Sequence, residues 1–209
     1  MSRAAAEPDR VALGFSAHTG WAVAVAVALD GGTPVVLERR RVELVDASVP
    51  WQVYHTASAR GLDEAAALVR QAEAVARELA TAGVGSLVRE LGAAGHAVVG
   101  AAVPAGGSRI PRNLARVLAS HALLHAAEGE LFRQALLAAA DQHDLDVHVL
   151  PARDLVPVAE RVLARDEATL REILATLGGA LGPPWRKDEK DATLAGWVAL
   201  AQHRTRRRR

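Results

Sequence analysis

The sequence predicts an α/β fold, a mixed five-stranded sheet flanked by helices in the order βββαβαβα. Three observations carry this expectation. Val23, Val25 and Val27 alternate with small residues, which is the two-residue period of a strand. Residues 96–103 form a continuous apolar run, as suits a strand buried on both faces of a parallel sheet. Other stretches place apolar residues every three to four positions, the period of a helix laid on a sheet.

Taken in order, residues 11–16 read as a short apolar strand, followed by a polar turn at 17–20. Residues 21–29 read as a second strand, and Asp30-Gly31-Gly32 is a hairpin turn. The third strand covers 35–45, with Arg39, Arg41 and Glu43 on its wetter side. A loop at 46–61 holds Trp51, Tyr54 and His55. A helix over 62–82 follows, with Leu62, Ala65, Val69, Ala72, Ala76 and Leu79 on one stripe and an interruption at Gly83 and Gly85. After the strand at 96–103 and a glycine-rich loop at 104–108, Pro111 suits the first turn of a long helix reaching Ala140. Residues 144–150 are the fifth strand, 151–179 are mostly helical, Gly182-Pro183-Pro184 is a break, and a last helix runs from Lys187 to about His203.

The 209 residues, half of them apolar, suit one domain over 1–203, followed by a basic, disordered tail at 204–209. The formal net charge is +1, but five arginines sit in the last six residues, so residues 1–203 carry −4. A broad basic face for duplex nucleic acid is therefore not written into the body of the chain. The absence of cysteine excludes disulfides, thiol catalysis and thiolate zinc sites. Val11 to Leu29 is 19 residues without Asp, Glu, Lys or Arg, yet Ser16-Ala17-His18-Thr19-Gly20 would break a membrane helix. Together with Glu7, Pro8 and Asp9 near the start, this reads as a soluble, cytoplasmic protein with no membrane partner.

Three segments, in this order, resemble the RuvC-like Holliday-junction resolvases of the ribonuclease-H-like superfamily. They are Leu13-Gly14-Phe15-Ser16-Ala17-His18-Thr19-Gly20-Trp21-Ala22, then Pro151-Ala152-Arg153-Asp154-Leu155-Val156, and Gly182-Pro183-Pro184-Trp185-Arg186-Lys187-Asp188-Glu189-Lys190-Asp191-Ala192-Thr193-Leu194-Ala195. The resemblance implies a nuclease that uses two Mg²⁺ or Mn²⁺ ions held by clustered carboxylates, acting as a homodimer on nucleic acid. It matches Asp188 and Asp191 to the family's last two acids. It also places Ser16 where the family has its first aspartate, and Val103 and Pro104 where a glutamate is expected, with no acid between Leu91 and Ala127. Two acids on one helical turn make a poor cage for two divalent ions. Acids there are also accounted for by the positive end of the helix dipole.

The loops after strands one, three and four should open at one end of the sheet. They would gather Ser16, His18 and Thr19 with Trp51, Tyr54 and His55, and with Ser108, Arg109 and Arg112. Ser16, His18, Thr19, Ser108, Arg109 and Arg112 are the candidate ligand-binding residues, because Gly106-Gly107-Ser108-Arg109 leading into a helix N-terminus would favour a phosphate-bearing ligand. On the long helix, His121, His125 and Glu128 fall inside the apolar stripe. His125 and Glu128 could satisfy one another, His121 and His125 have metal-ligand spacing, or the set could fix the register of a dimer. The terminal arginines could attract phosphates or remain a solvated tail.

Three functions compete. One is a RuvC-like domain without two-metal nuclease activity, binding an anionic ligand or nucleic acid at the altered cleft. Another is a Mg²⁺- or Mn²⁺-dependent, structure-selective endonuclease using Asp188, Asp191 and Glu128 or a histidine. The third is a dimeric interaction protein built on the long helix and the aromatic loop.

Overall fold

The uncharged stretch at the start of the chain folds back on itself. Strand β1 (Asp9–His18) pairs antiparallel with β2 (Trp21–Asp30) through a turn at Thr19 and Gly20. The expected turn at 17–20 is thus shorter, because Ala17 and His18 still pair with Ala22 and Trp21. The computed structural model describes residues 9–107 and 109–206, with side chains through residue 203. Among these no helix is long and apolar enough to cross a membrane.

Strand β3 (Thr33–Glu43) continues the antiparallel meander, whereas β4 (His96–Ala105) and β5 (Asp146–Pro151) run parallel to β1. The sheet order is β3-β2-β1-β4-β5. These directions bring the C-terminal ends of β1, β3, β4 and β5 to one rim. Helices fill the connections: α1 (Val53–Ser58), α2 (Leu62–Ala93), α3 (Leu114–Leu118), α4 (His121–Gln142), α5 (Leu155–Leu163), α6 (Glu167–Leu181) and α7 (Lys187–Arg206).

Two apolar layers hold the sheet. Val11, Leu13 and Phe15 of β1 and the alanines of β2 face α2 and α4, while Ala12 and Val23, Val25 and Val27 face α5, α6 and α7. Alternation along the strands decides which side chain enters which layer. Trp197 anchors the second layer at 2% exposure, a side chain whose truncation costs about 3–5 kcal/mol. Small residues in β1 let α7 lie directly on the strand. A Cβ on Gly14 would stand 1.7 Å from the Ala192 carbonyl oxygen, and one on Gly196 would stand 3.0 Å from the Gly14 nitrogen.

Several expectations are corrected. The helix over 62–82 runs unbroken to Ala93, because Gly83 and Gly85 are close-approach positions: a Cβ there would meet Val42 at 2.7 Å and His143 at 2.9 Å. The loop at 46–61 contains α1. The single helix from Pro111 to Ala140 is two helices, α3 and α4, separated at Ala119 and Ser120. The last helix continues three residues past His203 to Arg206, and residues 207–209 of the expected tail lie outside the described residues.

Candidate functional site

The close packing of α7 on β1 sets the position of the acid one turn before Ala192. Two local devices fix the start of that helix. Glu189 accepts a hydrogen bond from the Arg186 N–H at 2.7 Å, closing the first turn in the manner of a capping box. The Arg39 guanidinium on β3 donates to the carbonyl oxygens of Leu181, Gly182, Pro183 and Pro184, tying the preceding loop to the sheet. Asp188 then faces the end of β1. Its Oδ1 accepts from Ser16 Oγ at 3.1 Å and lies 2.8 Å from His18 Nε2.

Beside Asp188 the surface is layered. The His18 ring stacks on Trp21 with centroids 4.3 Å apart and planes 13° from parallel. The Arg41 guanidinium sits 4.2 Å from the Trp21 ring centroid and 5.8 Å from that of Trp51, which is 52% exposed. Glu43 pairs with Arg41, and Glu38 and Glu90 pair with Arg40. Arg40 holds the Glu90 carboxyl down to about 2, with help from the Ser86 hydroxyl. Together Trp21, Arg39, Arg40, Arg41, Arg186 and Asp188 line an open cleft of about 420 Å³.

A second polar group lies on the other face of the sheet, where α1 meets α4. Glu128, 3% exposed, accepts from the Val53 N–H at 2.7 Å and the Tyr54 N–H at 3.0 Å. These amides belong to the first turn of α1, whose N-cap residue Gln52 makes no side-chain cap bond. A carboxylate from a distant helix therefore caps α1 and meets the positive end of its backbone. Burial, with Glu73 and Glu128 nearby, pushes the Tyr54 phenol up to about 12. His55 Nδ1 also approaches Glu128, at 3.4 Å.

Some of the residues expected to share one cleft fall into these two groups, and others into neither. Ser16 and His18 join Asp188, and Thr19 forms the adjoining turn. Asp191 pairs with Lys187 instead of sharing a centre with Asp188. Glu128 is buried as expected, but its partners are α1 and His55 instead of His125, while His121 and His125 are exposed and lie outside the apolar stripe. The glycine-rich loop does not lead straight into a helix. Residues 109–113 are not helical, α3 has five residues, and Asn113 caps it by accepting from the Arg116 N–H at 3.0 Å. Arg109 and Arg112 are exposed, and Ser108 lies outside the described residues. Sequence reasoning missed the platform of Trp21 and Arg41. The pairing of Trp21 with Glu43 in a β2–β3 hairpin was the available signal, because it puts Arg41 two residues from that pair on the neighbouring strand.

A pair of Mg²⁺ ions requires several converging carboxylate oxygens. Here Asp188 is engaged by a hydroxyl and an imidazole, and Asp191 by an ammonium. Among the described residues, the one set of three or more His, Asp or Glu side chains with ligand atoms within 4.8 Å of one another is His55, His121 and His125. The residues at the end of β1 do not fit a two-Mg²⁺ cage.

No family model matches the chain, and no curated protein matches it. Solved structures do. RuvC from Thermus thermophilus aligns with a TM-score of 0.54 and 13% identity, over 93% of this chain and 96% of that one. T. thermophilus RuvC in complex with a Holliday-junction substrate aligns with a TM-score of 0.53 and 15% identity, over the same shares, 93% and 96%. With the strand order and directions described above, these alignments establish that the chain has the ribonuclease-H-like fold in its RuvC-like form.

Proposed function

We propose that this chain binds nucleic acid at the rim of its sheet and does not cleave it by a two-metal mechanism. The observation that carries the proposal is the state of Asp188, whose Oδ1 is answered by Ser16 and His18. Neutral or cationic donors now stand where converging acids would hold metal. The second half of the reading rests on the layered surface. An exposed Trp51, a Trp21–His18 stack and the Arg41 guanidinium offer flat faces and positive charge together. Single-stranded or splayed nucleic acid is bound by that combination, since bases stack on aromatic rings and arginine planes while cations meet phosphates. The RuvC structure with a Holliday junction makes branched DNA the first substrate to try.

Mobility-shift titrations with a four-way junction, a duplex and a single strand test the proposal. The junction or single strand is expected to shift, and Arg41→Glu to weaken binding on the order of tenfold by reversing one charge in the cleft and removing the cation stacked on Trp21. Incubation with Mg²⁺ or Mn²⁺ is expected to leave every substrate intact. Metal-dependent cutting abolished by Asp188→Asn would instead establish the structure-selective endonuclease. Absence of any shift would overturn the binding claim. Light scattering with and without junction DNA tests the homodimer implied by the resemblance, with the dimer expected in both.

A further inference from the structure

Apart from the Asp188 corner stands a cluster of imidazoles. His55 comes from α1, and His121 and His125 come from successive turns at the start of α4. The His121 and His125 Nε2 atoms face one another at 3.0 Å. The His55 ring centroid is 4.7 Å from that of His125 and 5.8 Å from that of His121. Ring planes meet at 84° for His55 with His121, 61° for His55 with His125 and 85° for His121 with His125, so edges converge and faces do not stack.

Core packing does not account for this arrangement, because His121 and His125 are exposed. Hydrogen bonding accounts for it only in part. Two facing imidazole nitrogens can share one proton, and protonating both would set two positive charges against each other. A cation that accepts a lone pair from each ring satisfies all three at once.

The hold on His55 points the same way. Its Nδ1 faces Glu128 Oε2 at 3.4 Å, so Nε2 is the ring nitrogen left to act as a ligand. Glu128 is itself fixed by the Val53 and Tyr54 amides. A carboxylate behind an imidazole is the device that orients metal-binding histidines and raises their basicity.

We infer that His55, His121 and His125 form a site for a borderline divalent transition metal of the zinc type, with Glu128 as the positioning residue behind His55. Imidazole suits such ions, whereas Mg²⁺ and Ca²⁺ favour oxygen. Zn–N bonds of about 2.0–2.1 Å in a tetrahedron place ligand nitrogens roughly 3.3 Å apart. The 3.0 Å pair needs only a slight opening to meet that spacing. Three protein ligands leave a fourth position open to solvent. Neither Asp188 nor the cleft takes part, so the inference stands or falls independently of the nucleic-acid reading.

Metal-stripped, untagged protein titrated with Zn²⁺ by calorimetry and with Co²⁺ by visible absorption tests the site. Equimolar binding is expected, with the strong bands of four-coordinate Co²⁺, a rise in melting temperature on adding Zn²⁺, and no competition from excess Mg²⁺. His121→Ala and His125→Ala, both at exposed positions, are expected to fold normally and to lose the Co²⁺ bands and the Zn²⁺-induced rise. Glu128→Gln is expected to weaken Zn²⁺ roughly 10–100-fold. Failure of the native chain to bind either ion, or unchanged binding in the two exposed-histidine variants, would overturn the inference whatever Glu128→Gln does.

Discussion

Asp188 and Glu128 sit on opposite faces of one sheet, toward the same rim, and their surroundings differ in kind. Asp188 is about one-third exposed and meets two side chains, a hydroxyl and an imidazole. Glu128 is buried and meets two backbone amides as well as an imidazole. The first carboxylate belongs to a partly exposed surface and is answered by side chains alone. The second is a structural fastening that also aims a histidine. The comparison teaches that neither an acid's position in a motif nor its burial reveals its work; the donors that answer it do.

The comparison depends on how closely α7 lies on β1, and Gly14→Ala attacks that directly. The added Cβ would fall 1.7 Å from a backbone carbonyl, which cannot swing aside as a flexible side chain could. Overpacking of this kind costs about 1–3 kcal/mol and occasionally more, and this contact belongs at the upper end. Urea denaturation is expected to show a loss of about 3 kcal/mol, the largest of the effects considered. A variant as stable as the native chain would mean that α7 rides higher, and that Asp188 does not reach Ser16.

Next come the two acids themselves. Glu128→Ala leaves the Val53 and Tyr54 amides without their acceptor in a buried setting, and hydrogen bonds to a charged group are each worth about 1.5–3 kcal/mol. A loss of about 2–3 kcal/mol is expected on thermal or chemical unfolding. Asp188→Ala removes a partly solvated contact and is expected to cost less than about 1 kcal/mol. Equal losses in the two variants would erase the distinction between a buried fastening and a partly exposed contact.

The sheet was legible because its signals are local. Alternating valines, the Asp-Gly-Gly turn and an unbroken apolar run each declare a strand without reference to distant residues. Gly83 and Gly85 misled for a physical reason. A glycine that breaks a helix and one that lets a helix approach a neighbour look alike until Val42 and His143 are seen beside them. The break between α3 and α4 has no Gly or Pro at Ala119 and Ser120 to announce it. At the site, i to i+4 spacing singled out His121 and His125, and motif order singled out Ser16 and Asp188. His55 and the partners of Glu128 are tertiary facts. Nothing in the local pattern of residues 46–61 says that their backbone will dock on α4.

The smallest effect at neutral pH, and the one that most narrowly probes the α1–α4 junction, concerns Tyr54. It is the chain's single tyrosine, so its ionisation can be followed by ultraviolet absorption without overlap from another phenol. Burial first, then the charges of Glu73 and Glu128, move it from 10.0 to about 12. The phenol is neutral below both values, and its contribution to stability is fully present there. Above pH 10 the unfolded chain releases the proton while the folded chain retains it, so stability falls as pH rises through about 12. Tyr54→Phe is therefore expected to abolish the ultraviolet transition and to flatten the alkaline arm of the stability profile, leaving neutral-pH binding at the Asp188 cleft unchanged. Because Glu128 is one source of the shift, Glu128→Gln should move the Tyr54 midpoint back toward 10, whereas Asp188→Asn should leave it where it is. A midpoint near 10 in the native chain would show that the Tyr54 phenol is not buried beside Glu73 and Glu128.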